Sequence, residues 1–287
     1  MSRVKVHPPS RALRHACACF GIDPDRRHIR RGHAARRAAA RALADQLLAA
    51  LRTDGTGGVV FVTGPSGCGK STFLAAVAAR LNAHGAKTAV VRPHRRSRRA
   101  PETVIDAIVH AAGRDRSLED ALGVLARAGL AEAPLLARRV HELSEGQRWR
   151  LALAEAMARV TAAGNQAQRT DNAEGERKEG KEAVERVVGG TGGGTIEAQH
   201  TGNAEDRVPG GTVLLIDEFA STLDRVTARN LARTVRRWAG RAGVRVIAAA
   251  ANDDVLEALA PDVLVAMTSR GTGTVTTKET ADARTPS

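Results

Sequence analysis

The chain has 287 residues, 43% of them apolar and 2% aromatic, with no tyrosine. That length supports one large domain or two small ones around a buried core and excludes a fibre or a wholly disordered chain, while the scarcity of aromatics leaves few platforms for stacking single-stranded bases. The net charge is +13, and 38 of the 44 basic residues are arginine, which fits either a polyanion-binding surface or the solvated basic face of an arginine-rich chain.

In chain order, residues 1–54 form a basic block with twelve Lys and Arg against three acids up to Arg52. Within it an alanine-rich helix is predicted from Ala34 to Leu51, ended by Gly55, Gly57 and Gly58. Nucleic acid is a candidate partner of this block. Val59 to Thr63 reads as an apolar strand that runs into a glycine-rich turn. Leu74, Val77 and Leu81 recur at helical spacing, Gly85 offers a stop, and Thr88 to Val91 reads as the next strand, the alternation of a parallel sheet. Arg92 to Arg99 then carries five arginines and no acid. Pro101 to Val160 is helical in pattern, with Trp149, Leu153, Met157 and Val160 on one face of its last helix.

Residues 163–211 hold eleven glycines, nine acids and five large aliphatics, too few apolar groups to offset the entropy of ordering them, and read as a disordered insertion. Strands follow at Thr212 to Ile216, Val244 to Ala249 and Val263 to Met267. Between them lie an arginine-rich helix from Arg225 to Gly240 and a short helix near Asp254 to Leu259. Residues 268–287, rich in threonine, read as a disordered, frayed tail. No apolar run reaches membrane-spanning length, and no apolar segment with a small-residue cleavage site follows the basic N-terminus. Cys17, Cys19 and Cys68 match neither a disulfide framework nor a zinc spacing, so a reducing cytoplasm is the expected setting.

Gly64-Pro65-Ser66-Gly67-Cys68-Gly69-Lys70-Ser71-Thr72 matches G-x-x-x-x-G-K-[ST] between a predicted strand and a predicted helix. Phosphates need many donors at short range. The glycines let backbone N–H groups converge, the helix N-terminus adds positive potential, Lys70 adds a mobile charge, and the Ser71 hydroxyl can hold Mg²⁺. Cys68 reads as loop filler. Further on, Thr212 to Ile216 is an apolar strand that ends in Asp217 and Glu218, placing two carboxylates where open α/β sheets bind ligands. Asp217 is suited to orienting Mg²⁺, and Glu218 to polarising the water that attacks a γ-phosphate.

Leu143-Ser144-Glu145-Gly146-Gln147-Arg148 opens a helix, with Ser144 and Gln147 spaced as a capping box. The same run resembles the signature motif of ATP-binding cassette (ABC) ATPases, and Ser221-Thr222-Leu223-Asp224 is similar to that family's D-loop. Phosphate loop, signature, acidic strand and D-loop stand in the family's order across Val59 to Met267. The resemblance implies an α/β P-loop NTPase fold over 55–267, with a mostly parallel central sheet flanked by helices and a helical signature subdomain at about 101–160. It also implies Mg²⁺-dependent ATP hydrolysis by a homodimer. There Ser144, Gly146 and Gln147 of one copy would close on ATP held by the phosphate loop of the other, beside Asp224 of the D-loop.

Several positions depart from the family pattern. No glutamine lies between Thr72 and Gly146, so the Q-loop residue has no counterpart beyond the polar His94, Glu102 and Asp106. The switch position offers Asn252, which can bond a phosphate but cannot take a proton. Phe219 stands where transporter members usually have proline, and neither an adenine-stacking aromatic nor a run of alternating strands precedes the phosphate loop. A soluble ATP-hydrolysing dimer is therefore the leading reading. An ABC transporter subunit docking on a membrane permease through residues 101–139 and a slow nucleotide-dependent switch are the alternatives.

Overall fold

The computed structural model describes residues 10–19, 26–53, 58–91, 102–113, 117–162, 212–268 and 271–278. Helices α1 (Arg11–Cys19) and α2 (Arg26–Thr53) precede strand β1 (Gly58–Thr63), helix α3 (Lys70–Ala83) and strand β2 (Lys87–Val91). Helices α4 (Val104–Ala112), α5 (Leu118–Arg127) and α6 (Ala133–Leu136), a 3-10 turn at Val140–Glu142 and a long helix α7 over 145–162 follow. After them come β3 (Thr212–Ile216), α8 (Arg225–Ala242), β4 (Arg245–Ala249), α9 (Leu256–Leu259), β5 (Val263–Met267) and β6 (Gly273–Thr277).

The strands form one sheet in the order β2-β3-β4-β1-β5-β6, in which the first five are parallel and β6 is antiparallel to β5. Parallel strands need cover on both faces, and alternate residues therefore enter different cores. Val59 and Phe61 of β1 and Leu214 and Ile216 of β3 pack with the buried faces of α4, α5, α7 and α8. Val60 and Val62, with Val213 and Leu215, pack on the opposite side against α2 and α3. Burial on both faces is why these strands read in the sequence as unbroken apolar runs rather than alternating ones.

Helix α2 is fixed by Ala40, Leu43, Ala44, Leu47, Leu48 and Leu51, all buried and repeating at helical spacing. These residues share one core with Phe73, Leu74, Val77 and Leu81 of α3. At the far end of α2, the Leu51 carbonyl accepts a hydrogen bond from Arg245 at 3.2 Å. Helix α2 of the basic block thus shares a core with α3 and the sheet, on the far side of residue 54. On the other face Ser117 caps α5, and Thr103 with Asp106 forms a reciprocal capping box on α4.

Residues 273–277, part of the expected frayed tail, form β6, with Val263 opposite Thr277 and Met267 opposite Gly273. The hairpin turn is closed by the Thr268 N–H donating to the Thr272 carbonyl at 2.7 Å. β-branched threonines suit an edge strand even though their polarity resembles that of a loop. The insertion at 163–211, the arginine run at 92–99 and residues 279–287 lie outside the described residues.

At the N-terminal end of β1, Asp262 joins three elements. Its carboxylate accepts the Val59 N–H at 2.7 Å and a hydrogen bond from Arg236 Nη2 at 2.7 Å, with Arg236 Nη1 also in contact. Burial pushes this carboxyl up. The Arg236 and Val59 hydrogen bonds and the charges of Arg236 and Lys278 outweigh that and hold it below its ordinary 3.8. A carboxyl depressed by folding adds stability above its unfolded pKa and loses it as pH falls through the folded one. Asp262→Asn should therefore cost on the order of 1 kcal/mol at neutral pH for this partly exposed pair. The gap between variant and wild type in urea unfolding should shrink as pH drops below 3.8; a gap independent of pH rules out the charge contribution.

Candidate nucleotide site

Strand β1 ends at Thr63, and the chain turns through residues 64–69 before α3 begins at Lys70. Gly64, Gly67 and Gly69 take φ values of +153°, +76° and +108°, a region that side chains rarely adopt. A Cβ on Gly64 would stand 2.6 Å from the Met267 carbonyl at the end of β5, so only glycine lets the loop pass this close to the sheet. At Gly67 and Gly69 a Cβ would meet nothing within 4 Å and would project into open space. The Lys70 ammonium folds back over the loop and donates to the carbonyls of Gly64 at 2.7 Å and Pro65 at 3.1 Å. Cys68 is buried, its N–H donating to the Pro65 carbonyl at 3.2 Å, which agrees with a packing role.

Strand β3 delivers Asp217, half-buried, and Glu218, exposed. The turn beyond it is unusual because Glu218 (φ +51°) and Ala220 (φ +57°) are both left-handed without being glycine, a conformation that costs roughly 1–3 kcal/mol each and gathers at functional sites. Three contacts hold the turn. Asp217 Oδ1 accepts the Glu218 N–H at 3.0 Å, and the Phe219 N–H donates to the Ala249 carbonyl at 2.7 Å. The buried Phe219 ring meets Trp149 of α7 edge to face, with centroids 5.8 Å apart and planes at 73°.

Loop and turn open onto one cleft of about 480 Å³. The phosphate loop and α3 contribute Ser66, Gly67, Gly69, Lys70, Ser71 and Thr72; the turn after β3 contributes Asp217, Glu218 and Ser221. Ala251, following β4, completes that side. The sheet order explains the meeting, since β4 alone separates β1 from β3 and the C-terminal ends of all three point the same way.

Arg36 and Arg37 of α2 line the same cleft, and the motif-based reading of the sequence passed over them. A signal was present: with Ala40, Leu43, Ala44 and Leu47 they continue the stripe that α2 turns toward the protein.

Ser144, Gly146 and Gln147 do not line the cleft of their own chain. Ser144 is exposed and caps α7, its hydroxyl accepting the Gln147 N–H at 3.2 Å while Gln147 Oε1 accepts the Ser144 N–H at 3.0 Å. A Cβ on Gly146 would come within 3.4 Å of the Thr222 carbonyl, so the first turn of α7 lies against the segment that follows Glu218. Asp224 caps α8 by accepting the N–H groups of Val226 at 3.1 Å and Thr227 at 2.9 Å. Hydrogen bonds from the Thr227 side chain and backbone hold its carboxyl below the usual range.

Asn252 donates through its side-chain amide to Asp254 at 3.1 Å, and its neighbour Ala251 is the residue that reaches the cleft. Asp254 is also bound by Arg225 at 2.7 Å, and its carbonyl accepts from Arg229 Nε at 3.2 Å. Of the polar residues considered for the Q-loop position, Asp106 is engaged as the cap partner of Thr103, Glu102 lies away from the cleft lining, and His94 is outside the described residues.

The family model described as Novel STAND NTPase 5 matches residues 20–118, a span that runs from ahead of α2 to the start of α5. No curated protein sequence matches the chain. Among solved structures, the chain is similar to MJ0796, a dimeric bacterial ABC transporter cassette, at a TM-score of 0.49 and 16% identity over 77% of this chain and 86% of that one. The same figures hold for that cassette in a post-hydrolysis state bound to ADP and Pi. The cbiO1 protein of Clostridium perfringens, part of the ABC transporter complex cbiONQ, gives 0.45 and 15% over 80% of each chain. With a glycine loop between β1 and α3, and two carboxylates at the end of a nearby parallel strand, the chain has the fold of a P-loop NTPase.

Proposed function

We propose that the chain is an ABC-type ATPase that binds ATP with Mg²⁺ in the cleft between the phosphate loop and the turn after β3, and hydrolyses it. The observation that carries this reading is the convergence of Lys70, Ser71, Asp217 and Glu218 on one cleft. The loop fits a phosphate chain: Gly67 and Gly69 leave their inner surface bare, where a Cβ would occupy open space. The helix N-terminus behind them adds a positive end, and Lys70 adds a full charge.

Mg²⁺ is a hard cation that favours oxygen ligands and commonly takes one or two from protein, the rest coming from phosphates and water. The Ser71 hydroxyl and the Asp217 carboxylate, both in the lining, fit that donor set. Among the described residues no group of three His, Cys, Asp or Glu side chains could hold a metal without such help. Bound there, the ion supplies neutralisation of the phosphate oxygens. Glu218, solvent-exposed and fixed by its left-handed backbone, orients the attacking water and accepts its proton. Lys70 offsets the charge that builds on the γ-phosphate.

Two further parts of the reading rest on the signature and D-loop resemblance. Ser144, Gly146 and Gln147 lie on the surface or close to it, off their own cleft, so they are free to close on the nucleotide of a second copy. A homodimer arranged head to tail completes two such sites, and hydrolysis releases it. The engagement of Asn252 by Asp254, together with the missing Q-loop glutamine, favours slow turnover as a second reading, in which ATP acts chiefly as a closing ligand.

ATPase measurements on the full chain test the central claim. Lys70→Ala should abolish binding of a fluorescent ATP analogue. Glu218→Gln should retain binding and lower turnover by about 10²- to 10⁴-fold; equal turnover in the Glu218 variant removes it from the catalytic role.

The composite site has its own test. Neither Lys70→Ala nor Ser144→Arg should turn over ATP alone, but their mixture should regain part of the activity, because a heterodimer carries one intact pairing of loop and signature. No recovery, with both variants folded and Glu218→Gln still monomeric in ATP, excludes the dimer.

A further inference from the structure

On α2, the inward stripe changes chemistry along its length. Ala40, Leu43, Ala44 and Leu47 are buried against α3 and the sheet, whereas one turn earlier Arg36 and Arg37 occupy the same rows and are exposed. Positions 36, 40, 43 and 47 form one row, and positions 37, 44, 48 and 51 the other. The switch from apolar to cationic occurs where the helix leaves the core and passes beside the cleft, and both arginines belong to the cleft lining. Arg41, also exposed, stands on the second row between 37 and 44, one turn farther along, and is absent from that lining.

Arg36 is placed by close neighbours. A Cβ on Gly271 would stand 4.0 Å from Arg36 Cγ and 3.4 Å from the Cys68 carbonyl, so the arginine stem, the turn before β6 and the phosphate loop share a small volume. Neither Arg36 nor Arg37 makes a hydrogen bond or ion pair among the described residues. This contrasts with Arg80, Arg159, Arg225 and Arg236, each paired with a carboxylate.

The charge balance of the cleft makes the pair consequential. Without them, Lys70 faces the carboxylates of Asp217 and Glu218, a net of minus one; with both arginines the lining becomes plus one. A nucleoside triphosphate stays anionic even with Mg²⁺ bound, so the arginines turn the net side-chain charge it meets in the cleft from negative to positive. Among the described residues no aromatic lines the cleft, and a guanidinium fork matches phosphate oxygens better than any other side chain.

We propose that Arg36 and Arg37 are phosphate-binding residues of this site, delivered by α2, and that their ligand is the polyphosphate chain of a nucleoside triphosphate rather than its base. The inference rests on the nucleotide reading of the cleft. It gives α2 a part in binding that is separate from its packing.

The test uses the full chain, a fluorescent ribose-labelled ATP analogue titrated at fixed ionic strength, and inorganic tripolyphosphate as competitor. The double variant Arg36→Ala, Arg37→Ala should bind both the analogue and tripolyphosphate about tenfold more weakly. Arg41→Ala should match wild type, and thermal melts should coincide because all three side chains are exposed. If the double variant binds like wild type while Lys70→Ala loses binding, the proposal fails and the nucleotide reading stands. If wild type does not bind, or Lys70→Ala binds normally, the underlying reading fails as well. Weakening confined to the analogue, with tripolyphosphate unaffected, overturns the assignment to phosphate; equal weakening by Arg41→Ala overturns the direct contact in favour of a general field.

Discussion

Two backbone hydrogen bonds at the C-terminal rim of the sheet hold the site in register. The Ala250 N–H donates to the Val62 carbonyl at 3.0 Å, and the Phe219 N–H donates to the Ala249 carbonyl at 2.7 Å. Through β4 they tie the end of β1, from which the phosphate loop springs, to the end of β3, from which the carboxylates spring. Strand pairing alone sets these ends in parallel but leaves the emerging chains to diverge. With the bonds in place, the loop that leads to Lys70 and the turn that carries Glu218 spring from one shared layer.

The left-handed residues Glu218 and Ala220 are affordable because of that layer and because of Phe219 between them. A turn with two unfavourable backbone conformations in three residues needs a strong reason to persist, and a fully buried ring is one. In a chain this poor in aromatics, Phe219 against Trp149 is the sole ring pair among the described residues. It joins the turn after β3 directly to helix α7, the element that begins with Ser144.

Much of this was legible in the sequence because the signals were local. The glycine loop needs left-handed residues at fixed offsets, and Gly64, Gly67 and Gly69 provide them. Strands buried on both faces read as apolar runs, as Val59 to Thr63 and Thr212 to Ile216 do. What escaped was non-local or masked by composition. β6 is polar because it lies at an edge, and its existence depends on pairing with β5, which no window over 268–287 can register. Arg36 and Arg37 were hidden among many arginines, and only the placement of α2 across the sheet separates them from Arg41. The capping geometry of Ser144 with Gln147 follows from their spacing of three, and the same residues serve the helix they start while Ser144 stays exposed.

Asp254 gathers three nearby groups: the amide of Asn252, the guanidinium of Arg225 and, at its carbonyl, Arg229. It thereby couples the stretch that touches the cleft through Ala251 to the opening turn of α8, which Asp224 caps. The stretch beside the cleft and the root of an eighteen-residue helix are thus moored at one aspartate.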